Sequence, residues 1–399
     1  MSHRPMVFIK SHKAIREALL DRRHDFAGRL PTKFGALLNQ GYHDIFFEDY
    51  NPCCKALRKV FLLAVRKYAV SEALEKLCAE VVDNYVDSLK HGPQLVDSRK
   101  PFSKILYTLI GDSVYGTKLE GDSSAIRRLE EIDHEFQAIS PNGLPSDIAP
   151  WLSVLYRRKE KRIETIFREY TQILHRLFTK AETTYVLGKT DNFTHAIIAA
   201  RDEAIREEKG DAQYLTKGNM VQLVRNIFAG ATDTSAAELR WLFLRMAKEP
   251  RIREKIQKEI DDNIGSTPPT YKDRVKFPYT VACLLETLRC HPFLPLSFPH
   301  KTTKDTRVGG VFIPKDTGIL YNIYGANHDP EIWNDPEEFR PERFIDPATG
   351  RLRKDAEPLL SFGMGSRTCP GEKLGHVDMF YILVRLMQRL SCSAPGDPS

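Results

Sequence analysis

The chain has 399 residues, 42% hydrophobic and 28% charged, with a formal net charge of +6. That is an ordinary globular composition, long enough for roughly two or three domains at ~150 residues each. It excludes a membrane-spanning run of ~18 apolar residues and a signal-peptide core in MSHRPMVFIK. The charge suits an acidic protein partner or an anionic membrane surface and is too small to argue for nucleic acid.

Taken in chain order, apolar residues recur at helical spacing over Ser71–Leu89, Ser103–Val114, Ala149–Lys180, Asn219–Lys248, Arg251–Ile264 and Tyr279–Cys290. The stretch TTKDTRVGGVFIPKDTGILYNIYGANHD, Thr302 to Asp329, differs. Its short β-branched or apolar runs, broken at Gly309-Gly310 and Pro314-Lys315-Asp316, predict a small sheet. The Pro- and Asp-rich DPEIWNDPEEFRPERFIDPATGR that follows reads as an extended loop. A last helix is predicted from about Pro370 to Leu390. With no internal repeat, low-complexity tract or linker, the expected architecture is mainly α: one large helical domain over residues 1–399 with a small β-sheet region.

The seven cysteines, Cys53, Cys54, Cys78, Cys283, Cys290, Cys369 and Cys392, are odd in number and lack zinc spacing. Free thiols in a reducing compartment follow. Cys369 stands out because it lies in FGMGSRTCPGEKLG, Phe362 to Gly375. Gly363 and Gly365 let the backbone bend sharply and approach something flat. Pro370 pre-sets the first helical φ, which places Cys369 at the positive end of the next helix. Backbone N–H groups there favour a thiolate. A lone thiolate without a second Cys, or a nearby His or Asp partner, suits a single-point metal ligand, and haem iron is the obvious candidate. Arg367 would meet a haem propionate.

A buried free cysteine in a glycine-rich turn is the commoner meaning of a lone Cys. Here the spacing Phe-x-x-Gly-x-Arg-x-Cys-x-Gly is complete at Phe362, Gly365, Arg367, Cys369 and Gly371. It resembles the haem-binding signature of the cytochrome P-450 superfamily, and other motifs extend the resemblance. ETLR puts Glu286 and Arg289 on one helical face. PERF supplies Arg343 in the order in which the family adds a loop arginine. The resemblance gives this trio a structural role in haem incorporation. FAGATDTS, Phe228 to Ser235, places Asp233 and Thr234 where the family has its acid–alcohol pair, with Ala231 at the usual glycine. FPHKTTKDT puts His300 at a propionate-contacting position. NPCCKALRKVF resembles the Trp-x-x-x-Arg helix, with Arg58 matching and Cys54 in place of tryptophan.

DFAGRLP, IFFEDYNP, RPERF and the His300 stretch are similar to the animal microsomal group containing steroid 17α-hydroxylase and the aryl-hydrocarbon-oxidising enzymes. Against that group both ends look short, with no anchor helix and no closing hairpin. The resemblance implies a haem b monooxygenase acting on a small lipophilic, steroid-like or xenobiotic substrate. Cys369 would be the axial iron ligand; Asp233 and Thr234 would organise proton delivery; Arg58, His300, Phe362, Arg367 and Gly371 would complete the cofactor site. Phe46, Phe47, Phe228, Leu294, Leu296 and Phe298 are the expected apolar lining. The implied partners are NADPH-cytochrome P-450 reductase, docking on the helix of Lys55, Arg58, Lys59, Arg66 and Lys67, and cytochrome b5 as a further candidate. The implied location is the cytosolic face of the endoplasmic reticulum, with peripheral membrane contact. A haem-thiolate isomerase and an inactive haem- or lipid-binding remnant are the competing readings.

Overall fold

The longest apolar-patterned segments are helices close to the expected bounds: Glu72–Asp87, Arg99–Tyr115, Ser153–Thr184, Lys217–Lys248, Pro250–Asn263, Pro278–Cys290 and Glu372–Arg389. The computed structural model describes residues 5–89, 92, 96–116, 123–139, 144–207, 209–354 and 359–394. Among the described helices of seven residues or more, Lys33–Asn39, Ser123–Ile139 and Phe193–Glu207 are missing from the periodic segments, and Pro52–Tyr68 entered only through the resemblance of NPCCKALRKVF. The first half of Phe193–Glu207 is buried on nearly every face, so no apolar stripe marks it.

Lys217–Lys248 is the axis of the molecule. It packs against Arg99–Tyr115, Ser153–Thr184, Pro278–Cys290 and Glu372–Arg389. Val221, Leu223, Val224, Ile227, Leu239, Leu242 and Met246 are buried in the main core with residues of those neighbours. Pro52–Tyr68 starts with Asn51 accepting the Cys54 N–H at 2.9 Å and with proline in its first turn, the two devices that set a helix start. No helix among the described residues is long and apolar enough to cross a membrane.

The predicted sheet region has two parts. In the first, strand Met6–Ile9 runs parallel to Gly318–Tyr321, which pairs antiparallel with His300–Lys301. In the second, Thr306–Val308 and Val311–Ile313 form a hairpin turning on Gly309 and Gly310, both at positive φ, as a tight two-residue turn requires. A second core of Ile9, Ile15, Phe26, Ile319, Tyr321 and Leu360 joins the sheet to the loop before Cys369. The chain is mainly α with a small β region, as expected.

Candidate functional site

The loop carrying Cys369 is fixed by its backbone. Gly363 and Gly365 have φ of +66° and +65°. A Cβ on Gly365 would fall 1.8 Å from the Leu19 carbonyl oxygen, so only glycine fits. The Cys369 N–H donates to the Phe362 carbonyl at 2.7 Å, closing the turn. The helix that follows begins at Glu372, so Pro370 and Gly371 lie in the turn before it rather than in its first turn. Hydrogen bonds from the backbone of Gly371 and Glu372 still reach the sulfur, and Arg58 favours its charge; burial outweighs them and holds the Cys369 thiol above its ordinary range.

Glu286, Arg289 and Arg343 meet behind this loop. Arg289 Nε and Nη2 donate to the two Glu286 carboxylate oxygens at 2.8 and 2.9 Å, and Arg343 Nε donates to Oε1 at 3.0 Å. The Arg340 N–H adds a bond at 2.8 Å. Arg289 Nη1 donates to the Asn327 carbonyl at 2.8 Å, and Asn327 Nδ2 donates to Ser361 Oγ at 3.0 Å. Ser361 in turn donates to the Leu288 carbonyl at 2.6 Å. The trio is therefore tied to the residue before Phe362 through Asn327 and Ser361. These two escaped sequence reasoning because single polar residues in loops carry no pattern.

On the other side of the loop, four basic groups converge. Arg367 is buried and donates to the carbonyls of Ala27 (2.7 Å) and Glu48 (2.8 Å) and to Cys54 Sγ (3.0 Å). Arg58 donates to the Thr368 carbonyl at 2.7 Å, next to Cys369. Arg29 donates to the carbonyls of Phe46 and Pro299 at 3.0 and 3.1 Å. Burial, followed by repulsion from Arg367 and Arg58, lowers Arg29 to about 9. His300 Nδ1 lies 2.8 Å from the Phe26 carbonyl. Burial and the nearby Arg29, Arg367 and Arg58 keep that imidazole well below its ordinary range. Arg29 was read only as part of DFAGRLP, so its place here is new.

Among the described residues no carboxylate forms an ion pair with Arg29, Arg58 or Arg367. Burying three guanidiniums together is costly unless an anion joins them. The donor set fits haem, whose two propionates would answer the cluster while a free thiol, Cys369, lies beside it.

The expected oxygen side is the middle of Lys217–Lys248. Thr234 Oγ1 donates back to the Gly230 carbonyl at 2.6 Å, and Thr232 does the same to Phe228 at 3.0 Å. Asp233 acts electrostatically on Asp133 and Tyr107. Burial, with Asp233 adding to it, pushes the Asp133 carboxyl up to about 7. Of the expected lining residues, Phe46, Phe47 and Phe298 form one aromatic group with centroids 6.3 and 5.4 Å apart. Phe293, Leu294 and Leu296 are 44–45% exposed on the segment leading to Phe298. Ser297, at φ +60°, bends that segment, and its Oγ accepts the Tyr321 N–H at 3.2 Å.

Phe228 does not belong with this group. It is 2% exposed and stacks on Tyr115 at 6.0 Å, inside the main core. Six residues before Thr234 is about 120° round a helix, so it turns away from the Thr234 face. The basic helix is also more engaged than charge alone suggests. Lys59 pairs with Glu207 at 3.3 Å and Lys67 with Glu203 at 2.7 Å, and Lys55 lies 4.7 Å from the Tyr50 ring.

Comparison with known proteins supplies the family. The profile of the family Cytochrome P450 matches residues 1–398. Cytochrome P450 1A1 of Limanda limanda is 30% identical over 97% of this chain and 77% of its own length. Cytochrome P450 1A2 of Callithrix jacchus is 30% identical over 98% and 78%. A zebra fish cytochrome P450 solved with progesterone superposes with a TM-score of 0.84, at 26% identity, over 98% of this chain and 88% of that one. A second, with abiraterone, gives 0.79 over 96% and 84%. A signature loop, a family profile and a shared fold therefore agree over almost the whole length: the chain belongs to the cytochrome P450 family of haem-thiolate monooxygenases.

Proposed function

We propose that the protein inserts one atom of dioxygen into a small lipophilic substrate, steroid-like or aromatic. The second atom leaves as water, and electrons come from NADPH through a reductase. The observation that carries this reading is the acid-free cluster of Arg29, Arg58 and Arg367 against the Cys369 loop. The progesterone and abiraterone complexes of zebra fish relatives support the steroid-like class.

Haem, when bound, supplies the oxygen-activating chemistry, with Cys369 as its axial ligand. Arg29, Arg58, Arg367 and neutral His300 would hold its propionates, and Phe362 and Gly371 flank the ligand turn. The Glu286–Arg289–Arg343 trio holds the loop from behind, a structural duty. Phe46, Phe47, Leu294, Leu296 and Phe298 exclude water and orient the substrate. Asp233 and Thr234 organise proton delivery to the oxygen side, Thr234 at its hydroxyl and Asp233 through its charge one position earlier. The reductase docks on the basic surface around Lys55 and Arg66, and cytochrome b5 is a second candidate for the same face. Residues 1–399 act as one catalytic unit on the cytosolic side of the endoplasmic reticulum, touching the membrane peripherally.

The test is a reduced carbon monoxide difference spectrum of wild type and Cys369→Ser, followed by NADPH-dependent turnover. A red-shifted thiolate band in the wild type that disappears in Cys369→Ser supports the reading; a band that persists sinks it. Thr234→Ala should keep haem and substrate binding yet yield less product per NADPH.

A further inference from the structure

One buried acid on the long helix belongs to none of these groups. Glu238 is 4% exposed, and its Oε2 has no hydrogen-bond partner among the described residues. It follows Thr234 by four positions, one turn on and about 40° round the helix, with Cβ atoms about 6 Å apart. Helical side chains lean towards the N-terminal turn, so Glu238 leans towards Thr234. The neighbourhood is the substrate-facing segment: the backbone of Phe293 hydrogen-bonds the Glu238 carboxyl. One turn further on, Trp241 stacks on His291 at 4.1 Å.

The Thr234 hydroxyl already donates its proton to the Gly230 carbonyl, which leaves it free to accept. A relay through Thr234 therefore needs a donor on its own face. Asp233 is about 100° round the helix, beside Asp133 and Tyr107. Glu238 is on the required face. A carboxyl buried with one oxygen unpaired is held in its neutral form, and burial pushes Glu238 up to about 8.

We propose that Glu238, as a neutral carboxylic acid, is the proton source for Thr234. Glu238 Oε2 makes no hydrogen bond to Thr234 Oγ1 itself, so the Oε2–H proton passes to Thr234 Oγ1 through one bridging water. The Thr234 hydroxyl proton moves on towards the oxygen side of the site, and a proton from solvent returns to Glu238. This rests on the monooxygenase reading above. Glu238→Gln keeps the shape and an acceptor for the Phe293 N–H but carries no acid proton. Glu238→Asp keeps the acid and draws it back by one carbon.

At pH 7 the infrared difference between wild type and Glu238→Gln should show a protonated-carboxyl band that moves in D2O, a signal independent of turnover. Glu238→Gln should keep haem and substrate binding while product per NADPH falls at least about tenfold. The double variant with Thr234→Ala should be no worse than Thr234→Ala alone. Glu238→Asp should retain the infrared band and recover part of the coupling. Absence of the band, or full coupling in Glu238→Gln with haem bound, overturns this proposal alone. A wild-type protein that holds haem yet forms no NADPH-dependent product overturns the monooxygenase reading and this proposal with it.

Discussion

Two buried glutamates mark two different regions of the molecule. Glu286 is 0% exposed and accepts from Arg289, Arg343 and the Arg340 backbone, so both oxygens are answered. Glu238 is nearly as buried, but among the described residues one of its oxygens has no partner and no guanidinium pairs with it. A satisfied charge fixes geometry, whereas an unsatisfied acid stays neutral and keeps a proton to give. The region around Glu286 is a clamp. The region around Glu238 holds an acid that still has a proton to give.

The clamp should break hardest. Glu286→Ala strands Arg289 and Arg343 inside the protein, and removing one partner of a buried pair costs about 3–5 kcal/mol. Urea midpoints should fall accordingly, and the expressed variant should be largely free of haem. If Glu286→Ala unfolds like the wild type, the trio is not a clamp.

The acid with one unpaired oxygen should respond to pH instead. Its carboxyl titrates near 8 in the folded chain and near 4.3 when unfolded. Between those values the native state holds more protons than the unfolded one, so this group removes stability as pH rises. Glu238→Gln is free of that penalty. Its stability relative to wild type should grow from pH 5 to pH 8, by roughly 3–4 kcal/mol across the window. A flat difference in urea midpoints would mean that Glu238 is not buried as a neutral acid. His291 and His376 titrate the other way: burial first, with Arg245 and Arg274 respectively adding to it, lowers each to about 4. Their contribution is lost as pH falls from 6.5 towards 4.

The clamp was legible in the sequence and much of the pocket was not, for a physical reason. Glu286 and Arg289 are three residues apart on one helix, and the Cys369 loop is a contiguous run with glycines that only a positive φ requires. Local spacing records local geometry. The aromatic group of Phe46, Phe47 and Phe298 joins positions some 250 residues apart; no spacing encodes that meeting, so these residues were reached only through the family resemblance. Phe228 was misplaced because adjacency to a motif was read as sharing its face. Arg29 lay inside a quoted motif, but a lone arginine acquires meaning only when Arg58 and Arg367 come near it. Glu238 carries a signal that was available in principle: a glutamate at the helical spacing that puts it beside Thr234.

Arg29 tests how far the cradle reaches. Losing its hydrogen bonds, at about 1.5–3 kcal/mol for a charged group, predicts that Arg29→Leu loses haem roughly 10- to 100-fold faster in a transfer assay to apomyoglobin. An unchanged rate would confine propionate binding to Arg58, Arg367 and His300.

The smallest effect belongs to the joint between the two regions. The Arg29 guanidinium lies 4.9 Å from the centre of the Phe298 ring, and the Phe47 ring meets the same ring at 5.4 Å. A cation over an aromatic face contributes about 0.5–2 kcal/mol, the upper end when desolvated, and Arg29 is buried. Phe298→Leu keeps an apolar side chain of lesser bulk but removes the face that orients Arg29. It should therefore speed haem loss by only about two- to thirtyfold, while also weakening the spectral affinity for a lipophilic ligand. The two effects must share a cause if Phe298 couples cradle to pocket. In that case Phe298→Leu should change haem loss in the wild-type background and leave it unchanged in Arg29→Leu, because the partner is already gone. The ligand affinity should still fall in both backgrounds, since Phe47 loses its ring contact either way. Equal effects on haem loss in both backgrounds would show that Phe298 belongs to the pocket alone, and that cradle and pocket are independent.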